Sequence, residues 1–155
     1  MYELIRSALF YAVMLIAIIL GFRLFKNSDR VTVDANDSSM NMRAGDYRVD
    51  TAINGVKDLG VGQKVSYFVE ELDKFRERVA WVVAVEGDTV EIANKKVVVN
   101  GKESKFSTNN NNIKVREVRV PRGCVYLLAE NSDLTMDSTS LGPVPFYVVR
   151  GRLQE

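Results

Sequence analysis

Beyond Arg30 the chain predicts a mainly β fold of antiparallel sheets, preceded by one N-terminal transmembrane helix. Three observations carry this. Short runs rich in β-branched and aromatic residues follow one another, separated by Gly, Asn and Asp turn signals. They do not alternate with helical patterns, so nothing points to a parallel βαβ sheet, and no internal repeat is present. Ahead of them, Ala8 to Phe22 carries no charge. The division is therefore an anchor over residues 1–30 and a β domain over residues 31–155.

The N-terminal run reads A-L-F-Y-A-V-M-L-I-A-I-I-L-G-F, and Leu24-Phe25 extends it past Arg23. With Arg6 and Arg23 snorkelling at its ends the stretch reaches about 18 residues, near the lower limit for spanning a hydrocarbon core. A cleavable signal peptide would end in a small-x-small site. Arg23-Leu24-Phe25-Lys26-Asn27-Ser28 has none, so the segment reads as an uncleaved anchor. Arg6 and the terminal amine precede the run while Arg23, Lys26 and Arg30 follow it, so charge bias alone does not orient the span.

Along the β domain, Arg30–Val33 alternates and Tyr47–Ile53 is extended up to the Asn54-Gly55 turn. Gln63–Val69 and Val79–Val85 follow, the second apolar enough to be buried on both faces. The segment between them, E-E-L-D-K-F-R-E-R over 70–78, reads as a charged connection. Thr89–Ile92 and Lys96–Val99 form a hairpin-like pair bounded by Gly87-Asp88 and Asn100-Gly101. Thr108–Asn112 reads as a mobile loop tip. Val115–Val120, Cys124–Leu128 and Val144–Leu153 bring the total to about eight or nine strands.

Composition removes several chemistries. The 155 residues contain no histidine, which excludes His-based triads, His-ligated metals and any imidazole acid or base. Net charge is +1 with both signs interspersed, so nothing favours nucleic acid as a partner. The single Cys124 cannot form an internal disulfide and lies in an apolar run, which predicts a buried thiol. Ala129–Val144, A-E-N-S-D-L-T-M-D-S-T-S-L-G-P-V, is a polar stretch between apolar ones. It reads as a site or its scaffold, or as a solvated loop of Asx and Ser/Thr turns.

The turn blocks carry a resemblance. In order they are Gly45-Asp46-Tyr47-Arg48-Val49, Val85-Glu86-Gly87-Asp88-Thr89-Val90, Val97 to Lys102, Val120-Pro121-Arg122-Gly123 with Tyr126 to Asn131, Asp137-Ser138 with Gly142-Pro143-Val144, and Gly151-Arg152. Behind an apolar anchor, this resembles bacterial signal peptidase I over nearly the whole chain. The resemblance implies the signal peptidase I type of antiparallel β fold and a serine–lysine endopeptidase chemistry that needs no cofactor or metal. It also implies a single-pass cell-membrane protein whose C-terminal domain is extracellular.

That chemistry requires a serine hydroxyl and a lysine kept neutral by burial. The lysine opens a K-R-x-V-G-x-P-G-D block; counting back from Gly87-Asp88 places Ala80 there, with Trp81 at the arginine. A methyl group accepts no proton. Arg76 and Arg78 cannot substitute, because a guanidinium does not deprotonate in proteins. The nucleophile block S-M-x-P-T-x-x-x-G-D, counted without gaps from Gly45-Asp46, places Asp37 at the serine; a loop two residues shorter places Ser39-Met40 there instead, beside Ser38. An ionised Asp37 is acceptor-only and would repel a developing oxyanion. In the G-D-N-R-x-x-S-x-D-S-R-x-x-G-x-V block, Asn131, Asp137, Ser138, Gly142 and Val144 match. Thr135 replaces the serine that orients the lysine, while Ser132 and Thr139 replace arginines.

Two readings stand. One is a dyad-less relative, similar to the signal-peptidase-like proteins that assist surface pilus assembly in Gram-positive bacteria, with membrane lipid and a pilin or other secreted segment as partners. The other is an active signal peptidase I using Ser39 or Ser38.

Overall fold

A computed structural model of the protein describes residues 14, 29–33, 40, 42–71, 73–131 and 136–154. The proposed anchor, Met14, Asp29 and Arg30 apart, lies outside them, as do Asp37, Ser38, Ser39 and Thr135. Among the described residues no helix is long and apolar enough to cross a membrane.

Eleven strands are present among the described residues. They are β1 (Asp29–Val33), β2 (Gly45–Asp50), β3 (Lys64–Glu71), β4 (Lys74–Val85), β5 (Thr89–Ala93), β6 (Lys96–Val99), β7 (Lys102–Ser107), β8 (Val115–Arg119), β9 (Cys124–Leu128), β10 (Val144–Pro145) and β11 (Val149–Gln154). A larger sheet runs β1-β2-β11-β3-β4-β9-β10 and a smaller one β7-β6-β5-β8, with every pair antiparallel. The mainly β, antiparallel expectation holds. β1 starts at Asp29, inside the stretch assigned to the anchor.

β4 is the strand on which both faces of the larger sheet depend. Its inner residues alternate, because successive side chains leave a strand on opposite sides. Ala80 and Val82 join Val65, Tyr67, Leu127 and Val149 in one cluster, while Val79 joins Val31, Met40, Val49 and Ala129 in another. A bulge in the β4–β9 pairing between Val82 and Ala84 re-aims the strand, and Val83 and Ala84 enter a third cluster with Val90, Ile92, Val97 and Tyr126. This third cluster joins β4 and β9 to the smaller sheet. Cys124, at the start of β9, is half-buried rather than buried.

Two sequence expectations change. The charged segment over 70–78 is not a connection: β3 and β4 run on as paired strands from Val69↔Arg76 to Glu71↔Lys74, closed by a turn with Asp73 at φ 59°. Cross-strand ion pairs replace apolar packing there. Arg78 reaches Glu71 at 2.5 Å, and Arg150 of β11 grips Glu77 at 2.6 Å. Nor is Thr108–Asn112 a detached tip. Thr108 is buried, its N–H donates to Lys95 O at 3.0 Å, and Asn109 Nδ2 donates to Asn131 Oδ1.

β11 reaches its place because Gly151 lets it lie against β2. A Cβ on Gly151 would fall 2.4 Å from Asp50 O, inside the contact limit of any carbon. Arg152 then pairs with Asp50 at 2.6 Å.

Candidate functional site

The segments singled out in the sequence converge where β4 passes β9. Ala80 lies one residue beyond the Trp81↔Leu128 pair and is fully buried beside Val65, its partner on β3. Met40, from the segment between β1 and β2, packs on Val79 and Ala129. The polar stretch 129–144 closes on the same place, since Ala129 N–H donates to Asp137 Oδ2 at 2.9 Å.

Asp137 and Ser138 are buried, so this stretch is not a solvated loop. Asp137 Oδ1 accepts from Thr139 N–H at 2.8 Å and from Thr139 Oγ1 at 2.5 Å, which caps the short helix α1 (Ser138–Leu141). Ser138 Oγ accepts from Leu127 N–H at 2.8 Å. The carboxylate that the resemblance pairs with an arginine is thus held by backbone donors and by Thr139, the residue standing at that arginine's position. The helix ends at Gly142, whose φ of 75° suits a residue without Cβ.

Neighbours not foreseen in the sequence tie this stretch to the β3–β4 hairpin. Tyr67 Oη donates to Met136 O at 3.0 Å, and Met136 N–H lies 3.5 Å from Glu71 Oε1. The guanidinium of Arg78 holds the Glu71 carboxyl below the usual carboxylate range, through its hydrogen bond first and its charge second, against the opposing effect of burial. The Glu71–Arg78 spacing in a charged run was the available signal. Close by, the Tyr126 hydroxyl is fully buried with no hydrogen-bond partner among the described residues. Burial, then the charge of Asp137, pushes its pKa well above the ordinary phenol value.

Ala80, where the resemblance leads one to expect a lysine, carries a methyl packed with Val65 and Val82. None of the described lysines is buried: Lys57, Lys74, Lys96, Lys102, Lys105 and Lys114 are exposed, while Lys64 and Lys95 are half-exposed. Lys64 is the nearest in register, opposite Trp81, but it leaves the sheet on the side away from Ala80.

On that other side Trp81 heads a polar and aromatic group. Its Nε1 donates to Glu130 Oε1 at 3.2 Å, the Lys64 ammonium stands 4.8 Å from the ring centroid, and the Phe106 ring lies 6.1 Å away.

Comparison with known proteins identifies the family. The profile described as "Signal peptidase, peptidase S26" matches residues 2–155. The chain is 34% identical over 73 residues to thylakoidal processing peptidase 1, chloroplastic, of Arabidopsis thaliana, covering 46% of this chain and 22% of that protein. It is 47% identical over 38 residues to mitochondrial inner membrane protease subunit 1 of Xenopus tropicalis, covering 24% and 23% respectively. The matches thus span under a quarter of the length of either relative. Among solved structures, a signal peptidase I from Enterococcus faecalis V583 superposes with a TM-score of 0.50 at 18% identity, over 62% of this chain and 97% of that one, a likeness of fold. The profile match extends over almost every residue, and the chain belongs to the signal peptidase family, peptidase S26.

Proposed function

We propose that this protein is a membrane-anchored signal peptidase relative that has lost the serine–lysine dyad and serves as an accessory factor in surface pilus assembly, its β domain outside the cytoplasm. The observation that carries the loss of chemistry is Ala80. Its site is buried in an apolar strand centre, the setting that would depress a lysine pKa, and it holds a methyl. No described lysine is buried elsewhere to take its place.

Membrane attachment draws support from where the exposed apolar side chains fall. β1 begins level with Leu153 and Lys64, and β3 continues from that level for seven residues to Glu71, roughly 20 Å. β1 runs the opposite way, so Asp29, its first residue, is the end of β1 nearer the β3–β4 turn. At that end Phe75 is 80% and Tyr147 84% exposed, with Phe68 and Met136 also exposed. An aromatic rim at the β3–β4 end fits a domain seated on a bilayer.

The chemistry is tested with the full-length protein in detergent, offered a preprotein and a penem-type acylating inhibitor. The expected result is uncut substrate and an unchanged intact mass. Cleavage, or an adduct on Ser38 or Ser39, returns the protein to the reading of an active signal peptidase I. Topology is tested by adding protease to intact spheroplasts, which should digest the β domain; full protection refutes the extracellular placement. The role in assembly is tested by pilin laddering in a strain lacking the protein, where undiminished polymer overturns it.

A further inference from the structure

Two clefts meet at Trp81, on the face of β4 turned away from Ala80. One, of about 560 Å³, lies between the larger sheet and β7 and is walled by Gln63, Lys64, Trp81, Lys105, Arg152 and Gln154 among others. The second, of about 310 Å³, continues past Trp81 and Lys105 onto Phe106, Leu128 and Ala129. The first is cationic: three basic side chains line it against one carboxylate, Asp50, and that carboxylate is already bound by Arg152 at 2.6 Å. The second is apolar at its base, and Glu130 on its rim accepts the indole N–H.

The cationic half is built around aromatic rings. Lys64 stands over Trp81 at 4.8 Å and Lys105 over Phe106 at 5.3 Å, which holds both ammonium groups beside the ring faces. Gly62 forms part of the wall at a φ of 91°, and a Cβ there would come 3.2 Å from Lys105 Nζ, so its lack of a side chain leaves room for that ammonium.

We propose that this paired cleft binds an acidic–apolar peptide segment, with carboxylates between Lys64 and Lys105 and an apolar side chain on Phe106, Leu128 and Ala129 beyond Trp81. A lipid headgroup would bring the same negative charge, but the position disfavours it. Lys64 opens β3 and Gln63 precedes it, roughly 13 Å along the strand from Phe68 and roughly 20 Å from the level of Phe75. The cleft therefore faces partners arriving through water, and its use depends neither on peptidase activity nor on the pilus reading.

Trp81 is the only tryptophan of the chain, which makes its fluorescence a reporter of this cleft alone. The full-length protein in zwitterionic nanodiscs is titrated with capped hexapeptides carrying three glutamates in one half and three leucines in the other, in both orders. The expected result is a saturable emission change that weakens as salt rises. Lys64→Glu and Lys105→Glu should each lower the affinity at least tenfold, with far-UV circular dichroism unchanged. Anisotropy of a labelled peptide gives the same constants without relying on the indole, and Trp81→Phe should weaken them. No saturable change up to millimolar peptide overturns the proposal. So does equal binding of the glutamine–leucine counterpart, or unaltered affinity in both lysine variants. A response to anionic lipid in the nanodisc in place of the peptide assigns the cleft to a headgroup and overturns it equally.

Discussion

Replacing Asp137 tests whether its carboxylate is the hub that holds the 129–144 stretch against the sheet. It is fully buried and accepts hydrogen bonds from Ala129 N–H at 2.9 Å, Thr139 N–H at 2.8 Å and Thr139 Oγ1 at 2.5 Å. Asp137→Ala leaves two backbone donors without an acceptor, each costing about 1–3 kcal/mol, while the hydroxyl can rotate away. The sum is about 4 kcal/mol. Asp137→Asn keeps one acceptor oxygen but turns an amide donor toward one of the N–H groups, so it costs about 2 kcal/mol. A domain of this size loses roughly 4 °C in Tm per kcal/mol, which predicts falls of about 16 °C and about 8 °C. Differential scanning calorimetry of the full chain in detergent, with a rescan for reversibility, reads both. If Asp137→Ala unfolds within about 2 °C of the unaltered protein, the carboxylate carries no such network and the reasoning fails.

Three further outcomes follow from single contacts. Gly151→Ala drives a Cβ into Asp50 O and should cost about 1–3 kcal/mol by urea denaturation; an unchanged midpoint would show that β11 and β2 separate freely. Tyr126→Phe removes a buried hydroxyl that has no hydrogen-bond partner among the described residues, so stability to urea should hold or rise by about 1 kcal/mol, and a fall of that size would reveal a bond to it. The carboxyl of Asp50 is lowered by the Ala52 N–H and then by Arg152, and that of Glu71 by Arg78, from ordinary values of 3.8 and 4.5. Because both are depressed on folding, their stabilisation is full above those ordinary values and disappears as pH falls through the lower folded ones. The urea midpoint should therefore drop between about pH 5 and pH 3, and an Arg78→Gln, Arg152→Gln double variant should show a flatter profile.

Residues with a strong local signal were legible without coordinates. β9 coincides with the apolar run Cys124–Leu128, and β5 and β6 with the runs between Asp88 and Asn100, because apolar alternation and turn residues agree there. Where strands leave the core the signal fails. Over 70–78 the pairing is held by Arg78–Glu71 and Arg150–Glu77, and charges that bond across strands read in one dimension as a solvated link. Lys102–Ser107 carries a weak strand signal for a related reason: β7 is an edge strand with alternate residues exposed. At the site, the position of Ala80 came from counting back from Gly87-Asp88, and its burial agrees with the unbroken apolar run Val79–Val85. The cleft at Trp81 was illegible because it joins residues from β3, β4, β7 and β11, whose proximity exists only after both sheets form.

The strand order also sets the sequence of folding events. β11 lies between β2 and β3, so the first two strands pair with the rest of the larger sheet through β11. During synthesis the β1–β2 ribbon must wait while more than half the chain is made, and an isolated two-stranded ribbon is marginal in water. Closure over so long a separation is slow. A polypeptide built this way stays threadable until its far end is free. Such a delay leaves the β2 edge open to other strands for as long as β11 is missing.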